Sequence, residues 1–161
     1  TAFFTAQEEA GKSWRFVHEW FKKNKISTDK LVVLDTSPYE TREEADKQLV
    51  VLRNKDVNAK FKSPLLKELK QFCKKNKISF SCKDKFIIEK NKLREKEGLK
   101  PISIGSTELG RIVMESNGQI QGSTLQIPTT GYHTVDETAC VESIKAIIFI
   151  LSSFYIKTVN I

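Results

Sequence analysis

The sequence predicts an α/β fold, a largely buried sheet flanked by helices, from three observations. Short all-apolar runs alternate with longer stretches whose apolar residues recur at helical spacing. The string "LVVL" occurs twice, at 31–34 and 49–52, without the polar alternation of a strand that faces water on one side. Cap and stop residues, Ser63-Pro64, Asn117-Gly118 and Pro128, fall between these runs.

Taken in order, a strand is expected near 2–6, "AFFTA", followed by a helix over about 12–24. In that helix Trp14, Val17, His18 and Phe21 share one face, and His18 reads as a core or boundary histidine. The first "LVVL" is expected as a short central strand. A polar stretch, "DTSPYETREEADKQ", leads to the second. Ser63 is a natural cap and Pro64 a natural first-turn residue, because its missing N–H has no helical partner there. Leu65, Leu66, Leu69, Phe72 and Cys73 form the buried stripe of the helix they open. Short strands are expected at 78–81 and 101–104, with a charged helix at about 88–97 between them. "TELGRIVMES" reads as a helix stopped near Asn117-Gly118, and "STLQI" (123–127) as a strand that ends at Pro128. "DETACVESIKAIIFILSSFYI" reads as a long closing helix, capped by Asp136 or Thr134. The hexamer "KKNKIS", at 22–27 and 74–79, stands both times where a helix gives way to an extended segment. Its spacing does not match that of the two "LVVL" strings, so coincidence in a lysine-rich chain accounts for it better than duplication.

Bulk properties narrow the function. At 161 residues the chain is most simply one domain with a real core, and its composition, 39% hydrophobic and 29% charged, is that of a globular protein. The net charge of +7 would suit a nucleic-acid binder, but the lysines are scattered rather than collected, and no aromatic-plus-basic motif accompanies them. Nucleic acid is therefore a disfavoured partner; a steep salt dependence of binding would be its sign. Cys73, Cys82 and Cys140 form no CxxC, and an odd number of thiols fits a reducing, cytoplasmic compartment. The most apolar run, "IKAIIFILSSFYI", is too short to span a membrane.

In an α/β sheet, chemistry collects at the carboxyl ends of strands. Three places put ligand-type residues there: Glu8 and Glu9 after the first strand, Asp35 after "LVVL", and His133 in the loop after "STLQIP". Carboxylates converging with an imidazole on one edge suit zinc. The adjacent glutamates can then divide the work, one binding a cation whose charge relieves their repulsion, the other accepting a proton from activated water. Each residue also has a plainer reading. An EE pair is most often a solvated turn, Asp35-Thr36-Ser37-Pro38 can be a turn, and a lone loop histidine is usually exposed.

The order and spacing of "FFTAQEEAG", "LVVLDTS", "GSTELGRI" and "GQIQGSTLQIPTTGYHTVDE" resemble the dinuclear zinc aminopeptidases of the glutamyl-aminopeptidase and deblocking (tetrahedral) aminopeptidase family. The similarity covers most of the chain. "YHTVDET" is also similar to the leucyl-type zinc aminopeptidases, so the wider clan is the safer assignment. The resemblance implies a three-layer zinc-exopeptidase-like fold with a mixed sheet, residues 1–161 forming the C-terminal portion of a metallopeptidase catalytic domain. It implies Glu8 as general base, Glu9 and His133 as ligands of one metal, and Asp35 as ligand of the second. Thr107, Glu108 and Tyr132 would lie beside the substrate. Two divalent cations are implied, zinc foremost, with cobalt or manganese as alternatives, as are peptide substrates and a homo-oligomeric full-length protein.

Some residues depart from the family pattern. "GKSW" stands where Gly-Leu-Arg-Gly is usual, Thr130-Gly131 where an Arg precedes the Tyr-x-His stretch, and Glu108 where Asp is usual. The family's His-x-Asp motif, bridging Asp and dimerisation domain precede the EE strand, whereas this chain opens at Thr1 inside that strand. The N-terminal part is therefore expected to be missing, and the 161-residue chain alone to bind zinc weakly and to lack activity. The departures keep an alternative open, a catalytically degenerate peptidase-like binding or scaffold protein.

Overall fold

The two "LVVL" strings both form strands, but in different surroundings. The structure, a computed structural model, describes residues 1–7 and 10–155. Its strands are β1 (Thr28–Pro38), β2 (Val50–Leu52), β3 (Phe80–Cys82), β4 (Ile120–Thr130) and β5 (Thr138–Ala139). Its helices are α1 (Trp14–Lys23), α2 (Arg42–Asp46), α3 (Leu65–Lys75), α4 (Lys83–Lys96), α5 (Glu108–Glu115) and α6 (Val141–Tyr155). The sheet runs β1-β4-β2-β3, with β5 also paired to β4. It is mixed. β2 and β3 are parallel with Val50 opposite Phe80, while β2 and β4 are antiparallel with Val51 opposite Gln126. The expected α/β class, a mixed sheet flanked by helices, is what forms.

The chain divides into two compact units, Thr1–Val33, Arg53–Leu66 and Lys83–Ser123 in one, Leu34–Leu52, Lys67–Cys82 and Thr124–Ile161 in the other. In the first, α1 lays Val17 and Phe21 against Ile112 of α5 and Ile120 of β4, with Trp14, Trp20, Leu31 and Phe3 around them. Removing such side chains from water stabilises by about 1.5–3 kcal/mol each. His18 is half-buried beside Trp14, with ring centroids 6.3 Å apart, as a boundary histidine should be. Gly122 sets the contact of β4 with β1. A Cβ there would lie 1.9 Å from the Leu31 carbonyl oxygen, so the two backbones approach this closely only because the residue is glycine.

In the second unit Val50, Val51 and Leu52 are wholly buried, as an all-apolar central strand requires. Leu69 and Cys73 of α3, Leu125 of β4 and Ala146, Ile147 and Ile150 of α6 are buried in the same unit. Phe72 of α3 meets two rings of α6, Phe149 at 5.7 Å and Phe154 at 5.2 Å. The stripe read from the α3 sequence is the stripe that packs.

Several expectations are corrected. Residues 2–6 form no strand: Phe3 leans on Trp20 at 5.0 Å while Phe4 is fully exposed, and the segment has no ladder. The first "LVVL" is not a buried central strand. It belongs to a strand of 11 residues next to β4, with Leu34 54% exposed, because an apolar run does not specify how many neighbours it gains. Residues 101–104 form no strand either. The Asn91 side chain donates to the Ile102 carbonyl at 2.9 Å and accepts from its N–H at 2.8 Å, taking the place of a partner strand. α4 begins at Lys83 rather than near 88, because Asp84 is buried and accepts from Asn54 instead of facing water. β4 passes through Pro128, where the flanking Thr129 carbonyl still accepts from the Tyr39 N–H at 2.9 Å. The closing helix begins after Cys140, since residues 138–139 pair with β4 as β5, so neither Asp136 nor Thr134 caps it.

The "KKNKIS" repeat folds the same way twice. After α1, Lys25 takes φ 52°, its N–H donates to Lys22 at 3.1 Å, and the Ile26 N–H donates to Phe21 at 3.0 Å. After α3, Lys77 takes φ 56°, with Lys77 donating to Lys74 at 3.2 Å and Ile78 to Cys73 at 2.9 Å. This is the Schellman arrangement, in which a left-handed residue lets two N–H groups satisfy the last helical carbonyls. The asparagine before each lysine adds a side-chain bond to Trp20 or Phe72. A Cβ in left-handed backbone is strained, and glycine relieves it. Lys25→Gly and Lys77→Gly are each expected to stabilise by about 0.5–1 kcal/mol, read as a rise in the urea midpoint at unchanged slope.

Candidate functional site

Glu8 and Glu9 lie outside the described residues. The chain on either side is closed by the Lys12 N–H, which donates to the Gln7 carbonyl at 3.1 Å. Just beyond, the Gly11 carbonyl accepts from Trp14 Nε1 at 3.0 Å and from Arg111 Nη1 of α5 at 3.3 Å.

Asp35 sits within β1, not at its end, and is half-buried. Its Oδ1 accepts from the Thr36 N–H at 2.7 Å, and its Oδ2 from Gln126 Nε2 at 3.2 Å. Gln126 is fully buried in β4 and also donates to the Thr36 carbonyl at 2.7 Å, so the carboxylate is oriented by a rigid neighbour. Metal-ligating carboxylates are held by this kind of hydrogen bond. Sequence reasoning missed Gln126, because β4 also carries Gln121, Ser123, Thr124, Thr129 and Thr130 and one more polar residue in it gives no signal.

His133 lies in the loop between β4 and β5, exposed and left-handed at φ 59°. Its backbone N–H donates to Glu137 Oε2 at 3.3 Å, and its ring lies 3.8 Å from that of Tyr132. Thr134 donates to the Gly131 carbonyl through both its N–H and its hydroxyl, tightening the turn. Carboxylate and imidazole are zinc-ligand types, so Asp35 and His133 fit that chemistry as donors. Among the described residues no three His, Cys, Asp or Glu side chains form a group that could hold a metal ion.

Thr107 caps α5, its hydroxyl accepting from the Gly110 N–H at 3.1 Å, and it is buried rather than open to a groove. Glu108, the first residue of α5, is half-buried. Beneath Thr107 lies a residue that sequence reasoning passed over, Asp56, only 6% exposed. Its Oδ2 accepts from the Thr107 N–H at 2.7 Å and the Thr107 hydroxyl at 2.8 Å, its Oδ1 from the N–H groups of Asn58 at 2.7 Å and Ala59 at 2.9 Å. Its only signal was position, in the loop that follows the buried strand β2.

The fold so placed is a mixed α/β fold with a counterpart among solved structures. One similar solved structure is that of PhTET1-12s, a dodecamer in the asymmetric unit, at 17% identity and a TM-score of 0.64. The match covers 93% of this chain and 39% of that one, so the chain spans well under half of PhTET1-12s. No protein-family model and no curated protein matches the sequence. Among the described residues no helix is long and apolar enough to cross a membrane.

The three thiols are free, and Cys73 is fully buried. Burial pushes its pKa up from 9.0 to about 11, which leaves it a weak nucleophile at neutral pH. A raised folded-state pKa contributes stability that is complete below pH 9.0 and is lost as pH rises through about 11. At pH 8 a thiol reagent should leave Cys73 unmodified in the native protein and modify it in denaturant, as peptide mass mapping will show. Equal rates in both states would contradict the burial.

Proposed function

We propose that this chain is part of a metal-dependent aminopeptidase that removes N-terminal residues from peptides. One observation carries the reading: Glu8-Glu9, Asp35 and His133 occur in the order and spacing of the zinc aminopeptidases, on a fold similar over 93% of the chain to PhTET1-12s. In this reading Glu9 and His133 hold one divalent cation and Asp35 the second, zinc foremost. Bound metal would supply Lewis-acid polarisation of the scissile carbonyl and of water. Glu8 takes the proton from the attacking water and returns it to the leaving amine, a role worth about 10²–10⁴-fold in rate. Gln126 and the Thr36 N–H keep the Asp35 carboxylate in one orientation. Glu108 and Tyr132 are the residues offered to substrate, and Thr107, expected beside it but buried, shapes the segment from behind.

PhTET1-12s is a dodecamer, which supports a homo-oligomer here, and free thiols support a cytoplasmic protein. A second reading, a degenerate peptidase-like binding or scaffold protein, draws on "GKSW" and on Thr130-Gly131, where the zinc aminopeptidases carry other residues.

In the full-length protein Glu9→Ala, Asp35→Ala and His133→Ala should each lose bound metal and hydrolysis of aminoacyl anilides together. Glu8→Gln should keep the metal and lose turnover. A normal kcat in Glu8→Gln would remove the general-base assignment, and a wild-type protein with neither metal nor hydrolysis would favour the second reading.

A further inference from the structure

Residues 104–108 have almost no regular structure, yet neighbouring groups tie them at every step. Arg53 Nη1 donates to the Ile104 carbonyl at 2.8 Å, and the Val57 N–H donates to the Gly105 carbonyl at 3.1 Å. The Ser106 hydroxyl accepts from Asn58 Nδ2 at 2.7 Å and from Arg111 Nε at 3.3 Å. Thr107 gives both its donors to Asp56 Oδ2. Three of these ties start from residues 56–58, in the loop after β2.

Capping α5 does not by itself require this. Thr107 already caps the helix through its hydroxyl oxygen, and a buried carboxylate carries a desolvation penalty that a plain cap avoids. Asp56 adds control of the proton side of that hydroxyl. Because Thr107 Oγ1 accepts from Gly110 and donates to Asp56, its rotor and the backbone around it have one setting. Gly110 belongs to the same device. A Cβ at that position would fall 2.0 Å from Asp56 Oδ2, so the carboxylate can enter only beneath a glycine. An irregular segment fixed by more bonds than its fold needs is how binding loops are preorganised.

We infer that Asp56, with Asn58, is a positioning residue that holds the 104–108 segment in the shape that receives substrate. This rests on the aminopeptidase reading, in which the segment lies beside the substrate, with Ser106 and Glu108 accessible and Thr107 buried behind them. Asp56 acts through Thr107, and Asn58 through Ser106. The segment needs no rearrangement when substrate arrives, and loosening it weakens binding of the ground state and transition state alike, which appears in KM.

Steady-state hydrolysis of aminoacyl anilides by the full-length protein tests this, with bound zinc measured on the same samples. Asp56→Asn keeps the shape but turns one acceptor oxygen into an NH2 group that faces donors. It should raise KM about tenfold with kcat changed less than about threefold and zinc content unchanged. Asn58→Ala, which leaves Asp56 and its Thr107 bonds in place, should raise KM about threefold and remains informative if Asp56→Asn fails to fold. A lower melting temperature with wild-type KM in both variants would reduce the network to a structural cap and overturn the inference while leaving the aminopeptidase reading intact. A zinc-replete wild-type protein with no hydrolysis would overturn both.

Discussion

β4 is the strand on which the sheet depends. It pairs with β2 and β5 and lies next to β1, so each of its faces and edges carries a constraint. Gly122 lets the Leu31 backbone close in, and Gln126 aims its amide at Asp35 and Thr36. A side chain at residue 122 would hold β1 off at Leu31, and an apolar residue at 126 would remove the amide that donates to Asp35 and to the Thr36 carbonyl. Packing and chemistry therefore meet in one strand.

The carboxylates with functional interest are held in a common manner. Asp35 accepts from an amide and a backbone N–H, Asp56 from a threonine and two backbone N–H groups, Asp84 from the backbone and side chain of Asn54. Such donors fix direction without neutralising charge, and hydrogen bonds to an ionised acceptor are among the stronger ones in proteins. For Asp35 the fixed direction suits the ligand role proposed for it; for Asp56 it transmits rigidity to a loop.

Much of the fold was legible in the sequence because the signals were local. Ser63 accepts from the Leu65 N–H as its place before proline implied, and Asn117-Gly118 ends α5. The α3 stripe and the second "LVVL" are buried as read. What failed depends on tertiary partners. The two "LVVL" strings are identical, and nothing within four residues says that one will be covered and the other left with Leu34 exposed. Residues 101–104 look extended, but a single asparagine occupies their backbone groups. The candidate site was legible only in its ligand-type residues. Gln126 and Asp56, which orient them or their neighbours, carry no motif, and their roles emerge from contacts 91 and 51 residues away in sequence.

The central claim, that the chain belongs to a peptidase whose chemistry runs through bound divalent metal, is tested most directly by metal removal and return. The purified full-length protein would be assayed on aminoacyl anilides before chelation, after chelation with metal content verified, and after zinc is restored. Loss of hydrolysis on chelation and its recovery with zinc, in step with the metal content, is the predicted result. Hydrolysis that persists at full rate in the metal-free protein would contradict it.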